Sequence, residues 1–204
     1  MTASKTLIVV DISGVIVNDS VFATIKEEVK KKNNKIGEEQ FNARLTKLGG
    51  LLVAGKYDEG RFWEEALTGT GIPDSPYLRH LARNTMTVLP GVTAALKELS
   101  GTGPVWALSN HYGPWLRAGL KAGDVDKYLQ RIFVSSETGM MKPGSGCYDY
   151  LLKEWNGPPG SVLFIDDTEA NLKTARWLGI NTYLAETNMD AGAWCRAAKQ
   201  FRSS

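Results

Sequence analysis

The chain has 204 residues, of which 43% are hydrophobic and 23% are charged, a composition typical of a globular protein. Its 24 basic and 22 acidic residues leave a net charge of +2, so no strong electrostatic field favours nucleic acid or an anionic membrane as a partner. We therefore expect a protein that binds neither nucleic acid nor a membrane. The length suits one core domain with a sizeable insertion.

The apolar segments are all too short to cross a bilayer, because none approaches the ~20 residues required. Met1 to Thr6 lack the apolar core of a secretory signal, which indicates a cytoplasmic location. The two cysteines, Cys147 and Cys195, lie far apart and match no metal-ligand spacing. In a reducing compartment we expect both to be free thiols.

The first predicted element is a buried strand over residues 7–10, which ends at Asp11. Its residues are leucine or β-branched, and Gly14 indicates a turn shortly afterwards. Helical patterns follow as far as Asn84, separated by breaks that carry glycine, asparagine or proline. The pair Gly49-Gly50 is predicted to be one of these breaks. The predicted helices cover residues 21–32, 38–48, 59–67 and 77–84.

Strands and helices alternate in the rest of the chain, in the manner of a parallel sheet with helical crossovers. The predicted strands are 105–108, 131–134, 161–165 and 181–184, and the predicted helices are 90–99, 112–121, 145–155, 168–178 and one after Asp190. The sequence thus predicts an α/β fold, with a three-layer Rossmann-like core around a parallel sheet. We expect the core to comprise residues 1–17 and 87–204, with a small all-helical cap, residues 18–86, inserted after the first strand.

Polar side chains stand where three of the predicted strands end. Asp11 follows the first strand, Ser109 and Asn110 follow the second, and Asp166 and Asp167 follow the fourth. The carboxyl ends of parallel strands line one crevice, so these side chains are expected to converge there.

Such a set of residues favours a metal ion and an anion. Asp11, Asp166 and Asp167 would repel one another unless a cation neutralised them, and carboxylate oxygens suit a hard ion such as Mg²⁺. Lys142, in the loop after the third strand of the core, adds a positive charge, and Ser109 adds a hydroxyl donor. A phosphate group held against the metal would use all of these groups.

Four segments resemble the motifs of the haloacid dehalogenase-like hydrolase superfamily, in the branch that carries a helical C1-type cap after the first strand. The resemblance spans nearly the whole chain, and four motifs in order are far more specific than any one of them. The segments are VVDISGV at 9–15, ALSN at 107–110, GMMKP at 139–143, and FIDDT at 164–168 with Asn171.

The resemblance implies a magnesium-dependent phosphatase or phosphotransferase that acts on a small phosphorylated metabolite, as a monomer or homodimer. Asp11 would be the nucleophile that attacks phosphorus and becomes an aspartyl-phosphate. Ser109 would bind the phosphate, and Lys142 would orient Asp11 and the phosphoryl group. The magnesium ligands would be Asp11, Asp166, Asp167 and the main-chain carbonyl oxygen of Ser13.

Ser13 departs from the pattern of the family's phosphatases, which carry a second aspartate two residues after the nucleophile. That aspartate protonates the leaving group and then activates water, and a serine hydroxyl is a poor substitute. Losing such proton transfer typically costs about 10²–10⁴-fold in rate. The substrate could instead have a leaving group that needs no proton, such as an acyl phosphate or an anhydride.

Two other functions stay open. A metal-independent 2-haloacid dehalogenase would also lack the second aspartate, with Arg44 near the leaving halide and Tyr148 in a supporting place. The adjacent acids Asp166 and Asp167 disfavour that alternative, because they would repel a carboxylate substrate. A weakly active or non-catalytic protein that binds a ligand is the third candidate, and Ser13 is the residue that favours it.

Residues near the second strand offer further candidates. Asn110 and His111 follow the strand and could face the pocket, where Asn110 would bind substrate and His111 could transfer a proton. A loop position without a function fits His111 equally well. We expect the aromatic residues of the cap, and Trp115, to pack between cap and core. The linkers near Asn18 and residues 86–89 are candidate hinges.

Overall fold

The strands and helices have the following bounds in a computed structural model, which describes residues 6–32 and 36–204. The strands are β1 Leu7–Val10, β2 Val17–Asn18, β3 Thr87–Val88, β4 Val105–Ser109, β5 Arg131–Val134, β6 Val162–Asp166 and β7 Asn181–Leu184. The helices are α1 Val21–Lys31, α2 Glu38–Val53, α3 Glu59–Leu67, α4 Pro76–Arg83, α5 Val92–Thr102, α6 Gly113–Ala122, α7 Ser135–Thr138, α8 Ser145–Trp155, α9 Glu169–Trp177 and α10 Gly192–Ser203.

Five parallel strands form the central sheet in the order β5-β4-β1-β6-β7. The central strand is β1, in which Val9 pairs with Trp106 of β4 on one side and with Phe164 of β6 on the other. All four residues of β1 are fully buried, because neighbouring strands cover its edges and helices cover both faces. The strand therefore appears in the sequence as an unbroken apolar run.

The two faces of the sheet build two hydrophobic cores, since successive side chains of a strand point to opposite faces. Ile8 and Val10 belong to the core covered by α5, α6 and α10. Leu7 and Val9 belong to the core covered by α8 and α9. The predicted α/β fold with a three-layer, Rossmann-like core is confirmed.

The four helices α1 to α4 share a third hydrophobic core, which also includes Trp115 of α6. The ring of Trp115 meets Phe22 of α1 edge to face at 6.2 Å and Phe62 of α3 at 5.5 Å between ring centroids. These aromatic residues thus pack this helical block against the sheet domain, as expected. The division into core residues 1–17 and 87–204 and cap residues 18–86 stays a prediction, and residues 1–5 and 33–35 lie outside the described ranges.

The predicted break at Gly49-Gly50 is wrong, because α2 continues through both glycines to Val53. Packing explains the first glycine: a Cβ atom on Gly49 would lie 2.8 Å from Cζ of Phe22. Gly49 is therefore the place where α1 approaches α2 closely, and tertiary contact outweighs the low helix propensity of glycine.

The two linkers between the sheet domain and the helical block pair with each other, which the sequence did not predict. Strands β2 and β3 form an antiparallel ribbon in which Val17 lies opposite Val88. Just beyond this ribbon, Ser20 Oγ donates a hydrogen bond to the carbonyl oxygen of Thr85, at 3.2 Å. The short helix α7 was also missed.

Among the described residues, no helix is both long and apolar enough to cross a membrane.

Candidate active site

Asp11 lies at the carboxyl end of β1, the central strand, and only 10% of its side chain is exposed. Its Oδ1 atom accepts hydrogen bonds from the backbone N–H of Ile12 at 2.6 Å and from Nζ of Lys142 at 2.8 Å. Burial raises the pKa of Asp11, the Lys142 charge lowers it and the nearby Asp166 raises it, and together these effects bring the pKa to about 7. Asp11 is therefore a much weaker acid than an ordinary aspartate.

Lys142 is buried between two carboxylates, with Nζ 2.8 Å from Asp11 Oδ1 and 2.7 Å from Asp166 Oδ2. Burial disfavours its charge, but the two carboxylates outweigh burial and raise the pKa of Lys142 above its ordinary value. Lys142 is therefore a fixed cation at the carboxyl ends of the strands.

Asn110 holds the backbone of Lys142 in place. Its Oδ1 accepts from the Lys142 N–H at 2.9 Å, and its Nδ2 donates to the Lys142 carbonyl at 2.7 Å. Both ends of the Asn110 amide are thus engaged by the loop that carries the lysine. In the structure Asn110 positions Lys142. A contact of Asn110 with substrate stays a prediction.

Asp166 is fully buried at the end of β6 and is surrounded by donors. Its Oδ1 accepts from the Thr168 N–H at 2.8 Å and from Asn171 Nδ2 at 2.9 Å, and its Oδ2 accepts from Lys142. These bonds orient Asp166 independently of any ion. The following residue, Asp167, is only partly buried.

Asp11, Asp166 and Asp167 converge as the sequence predicted: one oxygen atom from each lies within 4.8 Å of the others. Three carboxylate oxygens at such distances match the all-oxygen ligand set that Mg²⁺ prefers. The donor chemistry therefore fits the ion that the sequence implies. When all three carboxyl groups are ionised, Lys142 offsets one of the three charges, and the remaining negative charge suits a cation.

The hydroxyl of Ser109 lies at the carboxyl end of β4, beside β1 in the sheet, and the residue is 2% exposed. Its Oγ atom has no hydrogen-bond partner within residues 6–32 and 36–204. Buried hydroxyls are nearly always satisfied in folded proteins, so this one is suited to an oxygen atom of a bound ligand.

Ser13 contacts an acidic residue that the sequence analysis missed. Its hydroxyl donates to Oδ2 of Asp19 at 3.1 Å, and the same Oδ2 lies 3.0 Å from Nε2 of His111. Burial raises the pKa of Asp19, but the hydrogen bond and charge of His111 outweigh burial, so the pKa lies below its usual value. Nothing in the sequence marked Asp19, because its partner His111 is 92 residues away along the chain.

The two residues considered for a dehalogenase contact the protein itself. Arg44 donates to the carbonyl oxygens of Ala66 and Thr68, at the end of α3. Tyr148 is buried and donates through its hydroxyl to the carbonyl oxygen of Asn171 at 2.9 Å. Both side chains are thus engaged by backbone carbonyl oxygens within the fold.

The model of the haloacid dehalogenase-like hydrolase family matches residues 5–179. The chain therefore belongs to the haloacid dehalogenase-like hydrolase family, which confirms the resemblance found in the sequence; the predicted C1-type subfamily of its cap stays a prediction.

Two curated relatives each match part of the chain. Drimenol cyclase drtB of Aspergillus calidoustus is 33% identical over 151 residues, which are 67% of this chain and 29% of that protein. D-ribitol-5-phosphate phosphatase of Bacteroides thetaiotaomicron is 26% identical over 95 residues, which are 45% of this chain and 43% of that protein. The chain thus spans less than half the length of these two curated relatives.

Solved structures share the fold over almost the whole chain. The HAD family enzyme bt-2542 from Bacteroides thetaiotaomicron, in complex with magnesium and inorganic phosphate, superposes with a TM-score of 0.78 at 24% identity and covers 94% of this chain and 99% of its own. L-2-haloacid dehalogenase from Xanthobacter autotrophicus, with chloropropionic acid covalently bound, gives a TM-score of 0.62 at 17% identity and covers 89% of this chain and 77% of its own. These likenesses establish the fold.

Proposed function

We propose that the protein is a magnesium-dependent phosphohydrolase that transfers the phosphoryl group of a small phosphorylated metabolite to Asp11 and then to water. The observation that carries the proposal is the buried Lys142 ammonium, 2.8 Å from Asp11 and 2.7 Å from Asp166, beside a cluster of three carboxylates. A cation, an orienting carboxylate and a nucleophilic carboxylate at one strand edge are the groups that phosphoryl transfer requires.

The residues that would hold Mg²⁺ are Asp11, Asp167, Asp166 and the carbonyl oxygen of Ser13. When bound, the ion neutralises charge between the carboxylates and an incoming phosphate. All bonds described for Asp11 fall on Oδ1. Its Oδ2 atom is therefore the oxygen left for the ion or for phosphorus.

The chain's own groups have separable tasks in the reaction. Lys142 holds Asp11 in a fixed orientation and offers positive charge to the phosphoryl oxygens. Ser109 would donate its unpartnered hydroxyl proton to one phosphoryl oxygen, which satisfies a buried polar group and fixes the phosphate. The attack by Asp11 forms an aspartyl-phosphate, and water then hydrolyses it.

The relatives support a phosphate substrate, since one is named a D-ribitol-5-phosphate phosphatase and the superposed bt-2542 structure contains magnesium and inorganic phosphate. The helical residues 18–86 are proposed as a cap that covers the site and excludes bulk water. Packing of Phe22 and Phe62 on Trp115 supports a close approach of that cap to the sheet domain.

The test is a metal-dependent activity screen over phosphate monoesters, acyl phosphates and 2-haloacids, run beside the variant Asp11→Asn. Phosphate release that requires Mg²⁺ and falls by about 10³-fold or more in Asp11→Asn is the expected result. Asp149→Asn, which changes an exposed aspartate on α8, is the matched control and should leave the rate unchanged.

Other outcomes would contradict the proposal. Metal-independent halide release from a haloacid would establish the dehalogenase. Binding of Mg²⁺ and inorganic phosphate without turnover of any compound would establish a non-catalytic binding protein.

A further inference from the structure

The strongest unexplained feature beside the site is a buried pair of side chains, Asp19 and His111. Asp19 lies between β2 and α1, and His111 lies two residues after the end of β4. Their side chains are 18% and 6% exposed, and Asp19 Oδ2 and His111 Nε2 are 3.0 Å apart. The hydroxyl of Ser13 donates to the same Oδ2 at 3.1 Å. Three side chains from separate segments thus meet at one oxygen atom.

The contacts of His111 fix the number of protons that the pair holds. Nδ1 lies 2.9 Å from the carbonyl oxygen of Tyr112, which only accepts, so Nδ1 carries a proton. Nε2 faces a carboxylate oxygen, and that contact needs a second proton, either on the imidazole or on the carboxyl group. Asp19 and His111 therefore share one exchangeable proton next to the Ser13 hydroxyl.

The surrounding fold holds His111 in place. Its backbone N–H donates to Ser135 Oγ at 3.0 Å, and that hydroxyl donates to the carbonyl oxygen of Val53 at 2.7 Å. The backbone N–H of Ser136 donates to the His111 carbonyl at 3.3 Å. The backbone of His111 is therefore fixed by Ser135 and Ser136.

Stability alone gives little reason for this pair. A buried ion pair is costly to desolvate and is often matched or exceeded in stability by apolar residues of similar volume. Active sites are places where burial and a specific charge partner are combined to tune a titratable group. The pair also touches Ser13, whose backbone is at most about 7 Å along the chain from Asp11.

We infer that Asp19 and His111 form the proton-transfer couple of this active site and act through the Ser13 hydroxyl. The inference rests on the proposed phosphohydrolase function. The couple supplies the proton donor and acceptor that the reaction needs. A lone serine is too weak an acid and base for that task, but its hydroxyl can pass a proton on without holding a charge of its own.

In the first step, an Asp11 oxygen forms a bond to phosphorus while the bond from phosphorus to the leaving oxygen breaks. The Ser13 hydroxyl, which donates to Asp19 Oδ2 before the reaction, turns and gives its proton to the leaving oxygen, and Ser13 Oγ takes the shared proton of the couple from Asp19 Oδ2. The alcohol departs neutral, and the couple has lost one proton. In the second step, a water oxygen bonds to phosphorus and the bond from Asp11 to phosphorus breaks. A water proton passes to Ser13, and the Ser13 proton returns to the couple.

The experiment measures formation and hydrolysis of the phosphoenzyme in rapid-quench single turnovers, for the wild type and for His111→Gln, Asp19→Asn and Ser13→Ala. The two probes are D-ribitol 5-phosphate, whose alkoxide leaving group needs a proton, and p-nitrophenyl phosphate, whose leaving group does not. His80→Gln, which changes the other of the chain's two histidines, is the control because His80 is exposed.

Each of the three variants is expected to slow phosphoenzyme formation from D-ribitol 5-phosphate by about 10²-fold or more, but from p-nitrophenyl phosphate by less than about threefold. Hydrolysis of the phosphoenzyme should slow as well, so that it accumulates. The double variant His111→Gln, Ser13→Asp places a carboxylic acid where the Ser13 hydroxyl was. It should form phosphoenzyme from D-ribitol 5-phosphate faster than His111→Gln alone, by about tenfold or more.

If the variants slowed phosphoenzyme formation equally from both probes, or from neither, Asp19 and His111 would not be a proton-transfer couple. The aspartyl-phosphate mechanism would stay intact. If the wild type forms no phosphoenzyme from D-ribitol 5-phosphate, the alkyl phosphate that the activity screen identifies takes its place. A screen without any Mg²⁺-dependent release of phosphate would overturn the proposed function, and with it this inference.

Discussion

Gly14 lies so close to Asp167 that a Cβ atom on the glycine would stand 2.2 Å from Oδ2 of the aspartate. The backbone of Gly14 also has a φ of +84°, which residues with side chains rarely adopt. The turn after β1 therefore combines two demands that glycine alone satisfies, and one of them concerns a proposed metal ligand directly.

Gly14→Ala is expected to displace the Asp167 carboxylate and to weaken Mg²⁺ binding. The measurement is thermal unfolding with and without Mg²⁺, in which the variant should lose most of the stabilisation by the ion. Gly139→Ala is the matched control, because Gly139 has a φ of +71° but no atom within 4 Å of the added Cβ. Both variants should lose about 1–3 kcal/mol from backbone strain, but only Gly14→Ala should lose the response to Mg²⁺.

The buried Asp11 predicts a pH dependence of metal binding. Its pKa is raised to about 7 without metal, so below that pH the carboxyl group is largely protonated and Mg²⁺ must displace the proton. The affinity for Mg²⁺ should rise about tenfold per pH unit from about pH 5.5 towards pH 7 and then level off. Calorimetry in buffers of different ionisation enthalpy should detect the released proton. Asp11→Asn should bind more weakly, with a much flatter pH profile, and an unchanged slope in that variant would assign the proton to another group.

Asn110 should act on the rate through Lys142 rather than on substrate affinity. Asn110→Ala removes both bonds to the lysine backbone and is expected to lower kcat by about 10–10²-fold, because small displacements of a reacting group are costly. KM should change little. Asn110→Asp keeps the acceptor for the Lys142 N–H but sets an oxygen against the Lys142 carbonyl, so it should be at least as damaging. Steady-state kinetics that show a raised KM with kcat preserved would instead place Asn110 on the substrate.

The adjacent glycines of α2 should respond in opposite ways to alanine. Gly50→Ala adds a side chain in open space and should stabilise the protein by about 0.5–1 kcal/mol through helix propensity. Gly49→Ala forces the Phe22 ring to move from its packing on Phe62 and Trp115, so its net effect should be less favourable by at least about 1 kcal/mol. Urea unfolding of the two variants gives the comparison, and equal stabilisation by both would show that Phe22 moves without cost.

The sheet and much of the candidate site could be predicted from local sequence. Strands β5 and β7 have the predicted bounds, because each is a short run with β-branched residues between turn signals. Asp11, Ser109 and Asp166 stand at strand ends, and the rule that parallel strands end at one edge brings them together. To predict that Lys142 belongs to the site, the order of the four motifs was needed as well, since a lysine in a loop has no pattern of its own.

Local sequence could not predict contacts between segments that are far apart in the chain. The continuation of α2 through Gly49 depends on the ring of Phe22 in another helix, and the β2–β3 ribbon joins segments on either side of the helical block. Neither contact leaves a signal within its own segment, because helix and strand patterns record only which face of an element is apolar.

The sequence by itself determined the class of the fold, the edge of the sheet where the candidate site lies, and the residue types gathered there. Together with the family resemblance, it also showed that Ser13 stands where a second aspartate is expected. Only the tertiary structure brought Asp19 and His111 to the Ser13 hydroxyl, 92 residues apart in the chain and 3.0 Å apart in space. The physical reason is that a hydrogen bond between side chains depends on their distance after folding, and two single residues far apart in the chain carry no periodic pattern that could reveal it.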